Sequence, residues 1–541
     1  MRQDNTKAFA DFPALAAHLE SLGLFRMRPG LDRMQAALDR LNLRRPPCCV
    51  IQIVGTNGKG STSTMLAALA QAHGLRAGLH TSPHFLSPRE RVRLDGAMLP
   101  EDRWLELANV LMEHGGHDLS YFEFVTCLAI MAFAEADIAI METGLGGSYD
   151  ATTALEADLL VFTPIDLDHQ FVLGPSLKHI AADKAGAIRP GVPSLTAAQR
   201  PEAMAELARV SAERGSALLD IPPALAPPDQ TRHPLGLEGD HQRDNARLAL
   251  AAWRHIRDNG PLSPETYQRL NAALRRTELA DLEGRALASA WLPGRFQRVP
   301  PLNGHLPAQP ETTKATGGCL PITGFAPRAR KAAIFAEEVT IPQEAEWDVA
   351  AGNARRASRR KWRVNSDGPR PEQKGPLDDA IGQKTYLETA PCALGWPPLL
   401  LDGAHNSHGL AALGRALARR NVAPAAVIFA CLADKDTQTM LPHLRALATG
   451  PVFVPPIANN PRAMPPEDLA ALVGLNAVPA ASLRHAIELA SAHMAERLPE
   501  AFTGQRPDNP LLVCGSLYLL AKLYALRPDC LERPQSKINS F

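Results

Sequence analysis

Residues 51–64 read IQIVGTNGKGSTST, and how that stretch is read decides the fold. Its first half closes an apolar, β-branched run, CVIQIV (49–54), that a glycine stops, which is the pattern of a buried strand. Its second half sets Gly55, Gly58 and Gly60 around Lys59 and follows them with hydroxyls. Further on, STSTMLAALAQAHG (61–74) spaces Met65, Leu66 and Leu69 as one face of a helix and stops at Gly74. RAGLH (76–80) then suits a second strand. Strand, glycine loop, helix and strand in that order make a βαβ unit. Its loop would offer free backbone N–H groups and the positive end of a helix dipole to an anion. The glycines let the backbone approach phosphate, Lys59 can reach β/γ oxygens, and Ser61 or Thr62 can hold Mg²⁺. The spacing departs from G-x-x-x-x-G-K-[ST]. The first glycine of that pattern would fall at Ile53, and Gly60 separates the lysine from Ser61. An ordinary glycine-rich βα turn would share the bare glycine pattern, and it is the strand–loop–helix context that favours phosphate.

The rest of the chain narrows the class. With 541 residues and 45% apolar composition there is ample material for buried cores, in several domains or in one large fold with insertions. Lys plus Arg and Asp plus Glu balance at 57 each, which gives no long-range pull toward nucleic acid or an anionic membrane. MRQDNTKAFADF at the amino terminus lacks the apolar centre of a signal peptide. The most apolar stretch, Leu511 to Leu526, is too short to span a bilayer and carries Lys522. The eight cysteines show no C-x-x-C and no metal spacing, so they read as reduced thiols of a cytoplasmic protein.

Residues suited to metal chemistry recur just after apolar runs. TSPHFLSPRERVRLDG (81–96) puts Ser82 and His84 beyond the second strand, where α/β folds place ligands. Alone, it would also serve as a proline turn with solvated polar groups. IAIMETGLGGSYDATT (138–153) is a buried-strand run ending in Glu142, a natural Mg²⁺ ligand beside a triphosphate. LLVFTPIDLDHQFVLG (159–174) leads to Asp168 and His169. A single histidine is more often a hydrogen-bonded structural residue, but a third metal-type residue at a third strand end shifts the balance. HIAADKAGAIRPGVP (179–193) carries Lys184, which by itself reads as a solvated helix lysine.

Taken in order, these stretches resemble one family. GTNGKGST resembles the ATP loop of the Mur-ligase superfamily, and specifically of folylpolyglutamate synthase/dihydrofolate synthase. The 81–96 segment is similar to that family's T-S-P-H-L…E-R-I…G, and 142–153 to its E-V-G-L-G-G-R-L-D-A-T-N, with Thr143, Ser148 and Tyr149 in place of Val, Arg and Leu. DHQFVLG resembles its D-H-x-x-x-L-G and DKAGAIRPG its E-K-A-G-I-I-K-P-G. The resemblance implies ATP contacts at Gly55, Thr56, Asn57, Gly58, Lys59, Gly60, Ser61 and Thr62. It implies two magnesium ions shared by Ser61, Ser82, Glu142, His169 and Lys184, the lysine being carbamylated. Lys59, Lys184 and His169 are the implied catalytic set. Carbamylation requires a lysine whose pKa is lowered, which burial supplies.

The implied substrate face follows. SYFEFVT (120–126) resembles T-Y-F-E, whose phenylalanine packs on a pterin ring, and Phe122 holds that position; an aromatic in a helix is otherwise usually core. Asp150 and Ala151 would line the same pocket, and MRPGLDRMQAAL (27–38) resembles the segment that closes over it. GDHQRDNARLALAAW (239–253) resembles G-x-H-Q-x-x-N-A and opens a helix that Asp240 could cap, with Asn245 near the nucleotide. Arg295 in WLPGRFQRV (291–299) would contact phosphate, unless it is a plain surface arginine.

The carboxyl-terminal part repeats the strand–helix alternation. PLLLDGAHNSHGLAALGRAL (398–417) resembles D-G-A-H-N-P-H-G, with Ser407 replacing proline, and carries Asp402 and His405 over as nucleotide contacts. AVIFACLADKDTQTML (426–441) resembles the D-K-D motif, and 452–463 and 511–523 resemble P-R-A and G-S-x-Y. The expected fold is α/β: a P-loop parallel-sheet ATPase domain like the Mur-ligase central domain, then a smaller Rossmann-like domain. The expected boundaries are 1–296 and 297–541, the second interrupted at about 300–397 by an insertion rich in Pro, Gly, Thr and basic residues. That insertion is expected to be largely disordered or loosely folded, and its basic run ARRASRRKWR (354–363) to be solvated rather than bound to RNA or an acidic partner.

The functional expectation is an ADP-forming ligase that joins L-glutamate to dihydropteroate, to the γ-carboxylate of tetrahydrofolate, or to both, through an acyl phosphate. Its partners would be these small molecules, with no nucleic acid and no membrane, in a monomer. Another Mur-type amino-acid ligase would share the loop and metal residues, but YFE and TSPH argue against it. A P-loop phosphotransferase or switch protein would lack DGAHN. A non-catalytic nucleotide-binding module is the remaining alternative, opposed by Lys59, Glu142, His169 and Lys184 and left open by Ser148.

Overall fold

The strand read from the opening stretch is β1, Cys49–Val54, and all of its residues are buried. It is buried because apolar layers cover both faces. Val50 and Val54 point into one layer with Phe124, Leu128 and Phe133. Cys49, Ile51 and Ile53 point into the other with Leu66, Leu248 and Trp253. Gln52, the polar exception, is satisfied by the hydroxyls of Thr152 and Thr153 at 3.0 and 2.7 Å. A strand apolar on both faces belongs in the middle of a parallel sheet with helices on either side.

The computed structural model describes residues 8–24, 28–222, 225, 231–301, 395–474, 476–497 and 509–531. β1 lies between β5, Ile138–Glu142, and β6, Leu159–Phe162, and is parallel to both. The sheet runs β4-β3-β2-β5-β1-β6-β7-β8. Here β2 is Ala77–His80, β3 Val92–Leu94, β4 Ala97–Met98, β7 Ser194–Thr196 and β8 Leu218–Asp220. Only the pairs β2–β3 and β3–β4 are antiparallel, at the β2 edge of the sheet. One face is covered by the helix Tyr121–Phe133, and the other by Lys59–Ala72 and Asp240–Asn259.

A second sheet runs β13-β12-β11-β14-β10-β9. Its strands are β9 Gln297–Val299, β10 Leu399–Leu401, β11 Ala426–Phe429, β12 Val452–Val454, β13 Ala477–Pro479 and β14 Leu511–Cys514. All pairs are parallel except β9 with β10. The fold is therefore α/β with two parallel-rich sheets. The second sheet opens at Gln297, and we propose 296/297 as the domain boundary on that ground. Residues 302–394, with the basic run 354–363, lie outside the described residues, as does Met27 at the head of the 27–38 segment. The helix from Asp240 departs from expectation in its cap. Gly239 occupies the N-cap, no side chain caps it, and the Asp240 carboxylate instead pairs with Arg419 at 2.9 Å.

Candidate nucleotide and metal site

The order β2-β5-β1-β6 brings the carboxyl ends of four parallel strands side by side. Ser82 follows β2, Glu142 ends β5, the glycine loop follows β1, and His169 follows β6. The sequence therefore scatters these residues over more than a hundred positions while the sheet lines them up.

The loop is held from beneath. The N–H groups of Thr56 and Asn57 both donate to the Pro164 carbonyl at 3.1 Å. Gly55 has φ 149°, and a Cβ there would sit 2.0 Å from Thr163 Oγ1, so only glycine fits. Gly58 is left-handed at φ 90° and caps the helix Lys59–Ala72. Thr62 N is the first amide to close an intrahelical bond, to Gly58 O at 2.9 Å. The amides of Lys59, Gly60 and Ser61 therefore lie ahead of the first helical acceptor, free for an anion.

Two lysines converge on one carbonyl. Lys59 Nζ donates to Gly55 O at 3.2 Å and Lys184 Nζ donates to the same oxygen at 2.9 Å. Lys184 is 3% exposed, so the solvated-lysine reading does not hold. Burial, reinforced by the charge of Lys59, pulls its pKa down to about 7. Near neutrality a large share of it is the uncharged amine that CO₂ requires. Ser148 stands behind it: its backbone N and its Oγ both donate to Asp183 O, at 3.0 and 2.8 Å.

Glu142 is 3% exposed, and burial pushes its pKa up to about 7 against the pull of Lys59 and a hydrogen bond from Ser82 N at 3.1 Å. A Cβ on Gly60 would stand 3.4 Å from its Oε2, so the carboxylate overhangs the start of the loop helix. His169 has a left-handed backbone, φ 51°, and burial lowers its ring pKa to about 4, which keeps the ring neutral and able to ligate. Among the described residues no three His, Cys, Asp or Glu side chains cluster as a ready-made metal site. The donors at hand are thus of mixed type. A buried carboxylate short of hydrogen bonds, a neutral imidazole, the Ser61 and Ser82 hydroxyls and a lysine able to become a carbamate fit a hard divalent cation whose remaining ligands are phosphate oxygens.

The other expected contacts fall into two groups. Asn245 stands beside the loop: a Cβ on Gly58 would meet its Oδ1 at 2.4 Å. Arg295 is half-buried next to the 402–405 turn, its Nη1 donating to Gly294 O at 3.1 Å. Asp402 has both oxygens engaged by backbone, accepting from Phe296 N and Ala404 N at 2.9 Å each, and His405 Nδ1 donates to Gly403 O at 2.7 Å. On the substrate side, Phe122 is the one residue of the helix Tyr121–Phe133 that is not buried. Its ring lies 5.5 Å from that of His80. A Cβ on Gly144 would come within 2.8 Å of the Phe122 ring edge, so the glycine turn passes close to that ring. Asp150 accepts from Gly144 N and Leu145 N at 2.8 and 3.0 Å and from Thr152, so it shapes that turn, and Ala151 is buried behind it.

Residues 395–517 match the family model for the Mur ligase, glutamate ligase domain. A dihydrofolate synthase/folylpolyglutamate synthase of Escherichia coli (strain K12) is 35% identical over 293 residues, 52% of this chain and 65% of that protein. The protein of the same description from Bacillus subtilis (strain 168) is 31% identical over 306 residues, 51% of this chain and 67% of that protein. The chain belongs to the dihydrofolate synthase/folylpolyglutamate synthase family. It spans about two thirds of the length of these curated relatives. The fold agrees with a crystal structure of the bifunctional enzyme from Yersinia pestis, complexed with AMPPNP and Mn ion. The match covers 98% of this chain and 100% of that one, with a TM-score of 0.64 at 24% identity.

Some residues at this candidate site escape a local reading of the sequence. Asn406 donates to Asn57 Oδ1 in the loop at 3.1 Å across 349 residues of chain, and Lys435 reaches Asp168 across 267. Pairs so distant leave no spacing signal; D-K-D and DGAHN marked the segments but not their partners. Arg91 is similar: 4% exposed, it donates from Nε to His84 Nδ1 at 2.8 Å and stacks over Tyr121.

Proposed function

We propose that this chain is an ADP-forming ligase that joins L-glutamate to dihydropteroate, to the γ-carboxylate of tetrahydrofolate, or to both. The observation that carries the reading is the row of strand ends. Free amides and Lys59 stand on the loop, Glu142 and Ser82 lie on one side of it, and Lys184 shares its Gly55 carbonyl.

A carboxylate does not yield to an amine while oxide is its leaving group. The acid oxygen attacks the γ-phosphorus, the bond to the β,γ-bridging oxygen breaks, and ADP leaves. The N–H groups of Lys59, Gly60 and Ser61 hold the phosphates in place, and Lys59 and Arg295 draw charge from the oxygens as it shifts. The acid then exists as an acyl phosphate. The glutamate amine, having released its proton to solvent, attacks the acyl carbon. The tetrahedral adduct collapses and phosphate departs, leaving the amide. A divalent cation, in this reading Mg²⁺ in two sites, would be held by Ser61, Ser82, Glu142, His169 and carbamylated Lys184 and would neutralise phosphate charge. Phe122 offers its open face to a flat ring. The substrates are ATP, L-glutamate and the pterin acid, and the working unit is a monomer.

The test is ATP-dependent phosphate release with Mg²⁺ and L-glutamate, with dihydropteroate in one series and tetrahydrofolate in another, and product mass determined. A gain of one glutamate in either series supports the reading and assigns the acid. Lys59→Met should remove at least two orders of magnitude of kcat, the scale of one preorganised charge stabiliser. ATP binding with no mass gain in either series refutes it.

A further inference from the structure

Asp168 has more partners than the chemistry above uses. It is buried one residue before His169. Its Oδ1 accepts from Lys435 Nζ at 2.5 Å and from His169 N at 2.8 Å. Its Oδ2 accepts from Asn406 Nδ2 at 3.3 Å and lies 3.6 Å from His405 Nε2. Three of these four partners come from two loops of the second sheet: His405 and Asn406 follow β10, and Lys435 follows β11. Asn406 is itself fixed. Its Oδ1 caps the helix Ser407–Arg419 by accepting from Gly409 N at 2.8 Å, and its Nδ2 also donates to Asn57 of the glycine loop. One carboxylate on the first sheet thus gathers two loops of the second, and one of those loops touches the phosphate-type loop.

We propose that Asp168 and Lys435 are a positioning pair. They fasten the second sheet's loops to the first and, through Asn406 and the His169 backbone, set Asn57 and His169 in the register the nucleotide requires. The Lys435 and Asp168 side chains are 8% and 6% exposed, so the pair is not a solvent-screened surface bridge; removing one partner leaves a buried charge without its counterion. The inference rests on the nucleotide reading of the loop and is independent of which acid is the substrate.

The experiment uses the full chain with Asp168→Asn, Lys435→Met, the double variant, and Asn406→Ala. Three readouts are taken: hydrogen exchange of peptides covering 55–62, AMPPNP binding by calorimetry, and the kcat and KM for ATP in phosphate release. Each single variant should speed loop exchange and lower kcat about tenfold, with KM for ATP moving less than about threefold. The double variant should be no worse than the worse single variant, the sign of residues acting as one unit. Lys435→Arg should recover most of the loss, because it restores the charge. Should Asp168→Asn fail to fold, Lys435→Met and Asn406→Ala decide the matter. Independent, multiplicative effects in the double variant overturn the proposal, as does loop exchange that none of the variants changes. If the unmodified chain turns over no acid, the functional reading fails, while exchange and AMPPNP binding still judge the pair.

Discussion

At the scale of single residues, the loop keeps its shape because the Cβ atoms that another residue would add at Gly55 and Gly58 are missing. Gly58 combines a left-handed backbone with a neighbour, Asn245 Oδ1, standing 2.4 Å from where a Cβ would lie. Gly58→Ala should cost about 1–2 kcal/mol for the backbone alone, plus the displacement of Asn245. Thermal unfolding and nucleotide calorimetry on Gly58→Ala and on Gly58→Ala with Asn245→Ala separate the two costs. The second change should return part of the stability, and no recovery would show that the clash is not felt. His73 gives a prediction with a sign. Its Nδ1 donates to Leu69 O at 2.7 Å, its Nε2 is buried with no partner among the described residues, and its ring lies 4.7 Å from Trp253. Burial holds the ring pKa below its ordinary 6.5, with the Leu69 carbonyl and Glu283 pulling the other way and Arg257 adding to the lowering. Below about pH 6.5 the unfolded chain binds a proton that the folded chain refuses, so stability falls as pH drops toward the folded pKa. The stability lost in His73→Gln, read from urea midpoints, should therefore be larger at pH 7.5 than at pH 5.5. An equal loss at both would refute it.

At the scale of elements, the helix Tyr121–Phe133 shows what sequence can and cannot convey. Its apolar run announced a core helix, and every residue but one is core. The exception, Phe122, was visible only through resemblance, because burial is set by the β2 and β5 ends that flank it. Phe122→Ala should weaken binding of a pterin acid by the roughly 0.5–1.5 kcal/mol of an aromatic contact, about 2- to 10-fold, and leave AMPPNP affinity unchanged. Fluorescence titration with dihydropteroate checks it, and an equal loss for both ligands would mean the helix had moved. The strands β1, β5 and β6 were legible because each is a short, mostly apolar run closed by a turn. Lys184 was not. Nothing within its own helix distinguishes a solvated lysine from one folded under Gly55, since its burial comes from a strand 129 residues earlier. The cap at Asp240 misled for a related reason: an aspartate near a helix start is a good cap locally, but Arg419 at the end of the helix Ser407–Arg419 claims it.

At the scale of the whole molecule, the two sheets meet through contacts that no local pattern encodes, whereas the point where the insertion enters is encoded plainly. The chain leaves the second sheet at β9 and returns at β10, and these strands are antiparallel neighbours with Val299 opposite Leu399. Strands so paired need only a hairpin between them. The return is anchored independently, by Trp396, 2% exposed and covered by Arg527 at 5.4 Å. Replacing 302–394 with a short Gly/Ser linker, while keeping Pro300, Pro301 and the residues from Gly395 onward, should therefore leave both sheets intact. Because closure entropy grows only with the logarithm of loop length, shortening this connection should if anything stabilise the chain slightly. The expected result is an unfolding midpoint within a few degrees of the parent's, unchanged AMPPNP affinity and the same glutamate addition. Loss of turnover with folding and nucleotide binding preserved would mean that the inserted residues take part in the reaction, and loss of folding would mean that the β9–β10 pair depends on them.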